Sequence, residues 1–206
     1  IGPNADNIYN QLGDYTAPQD RHNVVTILDG IKNAASKGTK VVYAKGCAIR
    51  DTTQSDIPAA VAAAMQSDIV IAVVCGSSAR DFKTDYIDTG AAVVTDKDDK
   101  IISDMESGEG YDRNTLTLMG DQDKLLKALF ATGKPVIVVY IQGRPLDMNL
   151  ASEKADALLN AWYPGQEGGD AIADILFGDY NPAGRMSVSV PRSIGQLPVY
   201  YSLGQQ

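Results

Sequence analysis

The stretch Ser107-Gly108-Glu109-Gly110-Tyr111-Asp112-Arg113 holds the residue of this sequence best suited to proton chemistry. Glycines on both sides of Glu109 let the backbone bend sharply and leave the carboxylate unshielded. That suits a group that reaches into a site and exchanges a proton with water or a leaving group. Glu106 is the rival carboxylate, and Asp112-Arg113 reads as a local ion pair that anchors the loop. A plain surface turn with an exposed acid is the alternative reading.

Other candidate chemistry is weaker. The single histidine, His22, lies among Asp20, Arg21 and Asn23 and reads as a surface or capping residue. Gly76-Ser77-Ser78 follows an apolar run but lacks the G-x-S-x-G elbow, so a hydrolase triad is not supported. Cys47 and Cys75 form no CxxC and no Cys/His cluster. They read as two free thiols near strand ends, with a bridge between them left open and no metal site expected. Gln166-Glu167-Gly168-Gly169 fits no phosphate signature and reads as a tight turn packing on Trp162. Neither a Walker A motif nor a GxGxxG is present, and no cofactor is expected.

The elements that must position these residues follow from hydrophobic pattern. The chain has 206 residues, 44% of them hydrophobic, 21% charged, and a net charge of −8. That supports one good core. An acidic chain without a basic stripe excludes a nucleic-acid partner, and the longest apolar run, Ile69 to Cys75, is far short of the roughly 20 residues that cross a bilayer. Ile1-Gly2-Pro3 reads as the end of a buried strand running into a turn. We therefore expect a piece of a longer, multidomain protein.

A polar loop is expected from Asn4 to Asn23, then a helix through Ile27, Leu28, Ile31 and Ala35 with Thr26 as cap and Gly38 as stop. Lys40 to Ala44 reads as a strand, Asp56 to Gln66 as a helix with Pro58 in its first turn, and Ile69 to Cys75 as a strand covered on both faces. Asp121 to Thr132 reads as an amphipathic helix and Pro135 to Ile141 as a second buried strand. Ala157 to Trp162 is a shorter strand, Ala171 to Phe177 a helix, and Met186 to Val190 a last strand. This alternation predicts an α/β fold over residues 1–206: a mostly parallel sheet sandwiched between helices, with a long insertion loop. That loop, 76–120, far exceeds the usual two to six residues and reads as functional. It includes a hairpin candidate, Ala91 to Thr95 with Lys100 to Ser103.

Many motifs then occur in one order: Ile1-Gly2-Pro3-Asn4-Ala5, Gly13-Asp14-Tyr15, Ser107 to Arg113 with Leu116 and Leu118, Gly120-Asp121-Gln122, and Gly133-Lys134-Pro135. Gly143-Arg144-Pro145-Leu146, Ala161 to Gly169, Phe177 to Arg185, Pro191-Arg192-Ser193 and Leu197 to Tyr201 complete the set. Nearly end to end, the chain resembles the second (α/β sandwich) domain of glycoside hydrolase family 3, the β-glucosidase and β-xylosidase family. Met119 departs from the pattern, where the family often has Pro.

The resemblance implies a retaining exo-glycosidase that hydrolyses terminal non-reducing β-D-glycosidic bonds. An N-terminal (β/α)8 barrel supplies the aspartate nucleophile, and this chain supplies the acid/base and is inactive alone. It implies Glu109 as acid/base, with Glu106 as alternative, and Phe82, Tyr86 and Tyr111 as residues that stack on a sugar face. A β-linked oligosaccharide or glycoside is the implied substrate, and the implied location is periplasmic or secreted. A carbohydrate-binding or structural module that has lost catalysis is the competing reading.

Overall fold

The computed structural model describes residues 1–17, 19–78, 104–108 and 111–200. Three parallel strands, β1 (Val70–Cys75), β2 (Val136–Ile141) and β3 (Ala157–Asn160), lie in the order β1-β2-β3. Val70 is opposite Val136, and Ile137 is opposite Ala157. Ile1 extends the sheet beyond β1: its nitrogen donates to Ile71 O at 2.9 Å and its carbonyl accepts from Val73 N at 2.8 Å.

Both faces of β1 and β2 are covered, which is why they read as unbroken apolar runs. Val70, Ala72, Val74, Val136, Val138 and Tyr140 face a core shared with α3 (Ile57–Met65), α4 (Gln122–Phe130) and α5 (Asn149–Lys154). Val73, Val139 and Ile141 face the opposite way, toward α2 (Ile27–Ala34) and α6 (Gly168–Phe177). The period-two alternation thus splits one sheet into two cores.

Local signals set the helix ends. Thr26 caps α2 by accepting from Asp29 N at 3.2 Å, and Asp56 caps α3 with Pro58 in its first turn. The α2–α6 crossing is fixed by two glycines. A Cβ on Gly30 would lie 2.1 Å from Gly169 O, and one on Gly169 would lie 2.0 Å from Thr26 O. Only bare backbone fits, and Gly169 N donates to Val25 O at 3.0 Å across the contact. The Gly168-Gly169 pair thus packs on Val25, Thr26 and, through Gly168, the Pro164 ring.

Three expectations are corrected. Lys40–Ala44 forms no strand; among the described residues its backbone is reached only by Gly2 N, which donates to Ala44 O at 3.2 Å, so its β-branched residues lack a ladder. Met186–Val190 forms none either and is exposed through Ser189, with Val190 half-buried. The polar stretch after Asn4 is not all loop, because α1 (Ile8–Leu12) forms there behind the Asn7 cap, with Asn10 and Gln11 buried. Among the described residues no helix is long and apolar enough to cross a membrane.

Candidate active site

The carboxyl ends of parallel strands are where α/β sheets place their ligands. Here β1 leaves the sheet through Cys75, whose φ of 106° is rare for a residue with a side chain. Such a backbone costs on the order of 1–3 kcal/mol and persists only where its surroundings enforce it. Buried glutamines do so. Cys75 N donates to Gln122 Oε1 at 2.8 Å, and Cys75 Sγ donates to Gln142 Oε1 at 3.3 Å. Gln122 Nε2 in turn donates to Met119 O at 3.2 Å, and Asn4 Nδ2 donates to Gly76 O at 3.1 Å.

The turned strand end carries Gly76 and Ser77 under the segment that holds Glu106. Ser77 O accepts from both Glu106 N (2.9 Å) and Ser107 N (3.2 Å). Glu106 is only 3% exposed. Its Oε2 accepts from Arg113 Nη1 in a buried ion pair, so Arg113 pairs across the loop with Glu106 rather than with its neighbour Asp112. Arg113 Nη2 also donates to Thr117 O. Glu106 Oε1 and Arg113 Nε have no hydrogen-bond partner among the described residues. The carboxylate fits only because residue 76 is glycine: a Cβ there would lie 1.8 Å from Glu106 Oε1.

The loop's neighbours are held as well. Arg50 Nη1 donates to Met105 O at 2.9 Å, Ile49 N to Asp104 Oδ1 at 3.2 Å, and Arg144 Nη2 to Tyr111 O at 3.1 Å. Gly108 O accepts from Tyr111 N at 3.2 Å. Beside Gly108 opens a cleft of about 470 Å³ lined by Asp14, Tyr15, Ser78, Ser107, Arg144 and Tyr163 among others. Its lining draws on the residues that follow each of the three strands. Burial pushes the Tyr163 phenol above its ordinary value, against hydrogen bonds from Ser107 and Ser78.

Of the residues singled out from sequence, Tyr111 is half-buried at this edge. Glu109, Phe82, Tyr86 and the hairpin candidate at 91–103 lie outside the described residues. Cys47 and Cys75 are free and buried. His22 is exposed, and its backbone N is capped by Asp20 Oδ1 at 2.8 Å. Gln122, Gln142 and Asn4 escaped sequence reasoning as organisers of the strand ends. Position after an apolar strand, or before an amphipathic helix, was the available signal.

A parallel sheet between two helix layers, with a cleft beyond its strand ends, defines an α/β sandwich whose candidate site sits on the sheet's carboxyl edge. The chain belongs to the family described as the glycosyl hydrolase family 3 C-terminal domain, which matches residues 1–206. It is 37% identical over 98% of its length to a periplasmic β-glucosidase of Salmonella typhimurium, and 40% identical over 98% to a β-xylosidase of Formosa agariphila. It spans 26% and 25% of those proteins. It also superposes on a β-glucosidase structure from Erythrobacter marinus with a TM-score of 0.76 at 35% identity, covering 97% of this chain and 26% of that one.

Proposed function

We propose that this chain is the acid/base domain of a retaining β-glycosidase acting on terminal non-reducing β-D-glucosyl or β-D-xylosyl residues. In this reading a (β/α)8 barrel on the same protein supplies the aspartate nucleophile, and the domain alone is inactive. The named relatives, a β-glucosidase and a β-xylosidase, support the substrate class. The periplasmic relative supports a periplasmic or secreted location.

One observation carries the role assignment. Of the two glutamates in the Glu106–Gly110 segment, Glu106 is buried, spent on Arg113 and shut off from water. A proton donor must meet solvent and leaving group in turn. That favours Glu109, whose chain neighbour Gly108 lines the cleft.

The chemistry follows from a pair of carboxyl groups roughly 5–5.5 Å apart across the scissile bond. The barrel aspartate attacks the anomeric carbon while protonated Glu109 gives its proton to the departing oxygen. The resulting glycosyl-enzyme ester is then opened by water, whose proton returns to Glu109. Asp14, Arg144 and Tyr163 offer polar contacts to the leaving sugar, and Tyr111, with Phe82 and Tyr86, an aromatic face.

The test is Glu109→Gln in the intact enzyme. Its kcat/KM for a phenyl glycoside should fall roughly 10²- to 10⁴-fold, while a dinitrophenyl glycoside, which needs no proton to depart, is little changed. Equal slowing of both removes Glu109 from the donor role.

A further inference from the structure

We infer that Glu106 and Arg113 are a positioning pair for proton transfer by Glu109, an inference that rests on the function proposed above. A buried ion pair is a poor way to gain stability, because stripping two charges of water cancels most of their attraction. This one is poorer still, since Glu106 Oε1 and Arg113 Nε are left without partners among the described residues. The two side chains are only 1% and 5% exposed, so solvent does not make up the difference. Packed apolar side chains would hold the same space more cheaply. What the charges add is direction: a forked guanidinium fixes both the distance and the angle of the backbone on either side.

That geometry brackets the segment bearing the proton donor. Glu106 is pinned from below by Ser77 O and by the space left open at Gly76. Arg113 is pinned from beyond by Thr117 O. Between them, Gly108 O and Tyr111 N close on each other at 3.2 Å, and Arg144 holds Tyr111 O at 3.1 Å. Glu109 is bonded directly to Gly108, so whatever fixes Gly108 restricts the reach of its carboxyl. A shift of about 1 Å in a reacting group costs on the order of 100-fold in rate. The pair touches no substrate; it acts through Glu109.

The experiment compares Glu106→Gln, Arg113→Lys and Glu109→Gln in the intact enzyme, each on phenyl and dinitrophenyl β-glucosides well below its melting temperature. Glu106→Gln keeps shape and removes charge. Arg113→Lys keeps charge but cannot reach Glu106 and Thr117 O together, so it carries the measurement if the glutamine variant fails to fold. The expected result is a loss of roughly 10- to 100-fold in kcat/KM for the phenyl glucoside, with the dinitrophenyl glucoside held within about twofold and KM nearly unchanged. Equal losses on both substrates, or no loss on either, overturns the positioning role while a selective Glu109→Gln leaves the proposed function standing. An unselective Glu109→Gln overturns both.

Discussion

The α2–α6 crossing and the carboxyl edge of the sheet are built on opposite rules. At the crossing, backbone meets backbone through Gly30 and Gly169, and apolar side chains such as Ile27 and Ile172 close around them. At the sheet edge, buried polar side chains work through directed hydrogen bonds: Asn4, Gln122 and Gln142 hold Gly76 and Cys75, and Glu106 and Arg113 hold each other. Shape holds the first region and pairing holds the second. The fold's stability should therefore be concentrated where no polar side chain is needed, and its precision where polar atoms are most crowded.

The harshest way to break this contrast is Gly169→Ala. Its new Cβ meets Thr26 O at 2.0 Å, where neither backbone can retreat without parting the helices. We expect a loss of about 3 kcal/mol or more, read from the urea midpoint of the domain's transition in the intact protein. A smaller loss follows from Gln122→Leu, which leaves Cys75 N without its acceptor at a strained residue. That should cost about 1–3 kcal/mol by the same measurement. If Gln122→Leu proves the more damaging of the two, stability is not distributed as the contrast requires.

The smallest effect concerns the thiols. Burial, with Asp121 and Asp104 adding to it and Lys45 opposing, pushes Cys47 up to about 12. Burial, then Glu106, drives Cys75 upward too. A raised thiol stays protonated below its folded value, so neither cysteine carries reactive thiolate at pH 8. Ellman's reagent should label neither in the folded protein, and both in urea, as mapped on the labelled peptides. Rapid labelling of Cys75 in the native state would show that the sheet edge is looser than its hydrogen bonds imply.

Sequence pattern revealed the scaffold better than the edge. Ile69–Cys75 and Pro135–Ile141 were legible because a strand covered on both faces is apolar throughout. Thr26 was legible because a cap needs only local geometry. Lys40–Ala44 misled because β-branched residues state a preference, while a strand also needs a partner along its length. The helix α1 hid because it is short and two of its three buried residues, Asn10 and Gln11, are polar, with Ile8 the apolar third. The same blindness covers Glu106. A carboxylate reads as solvent-facing until the arginine that draws it inward is seen, and nothing in the spacing to Arg113 says which acid that guanidinium chooses.

The two feet of the long connection bear on how such domains diversify. One foot is Ser77, whose carbonyl is occupied, and the other is Asp104, hooked to Ile49 N at 3.2 Å. With both feet clamped, each doubling of the intervening chain costs only about 0.6 kcal/mol in closure entropy. Length can therefore be added between them at little thermodynamic cost while both feet stay held, so a change there is absorbed without rebuilding the scaffold.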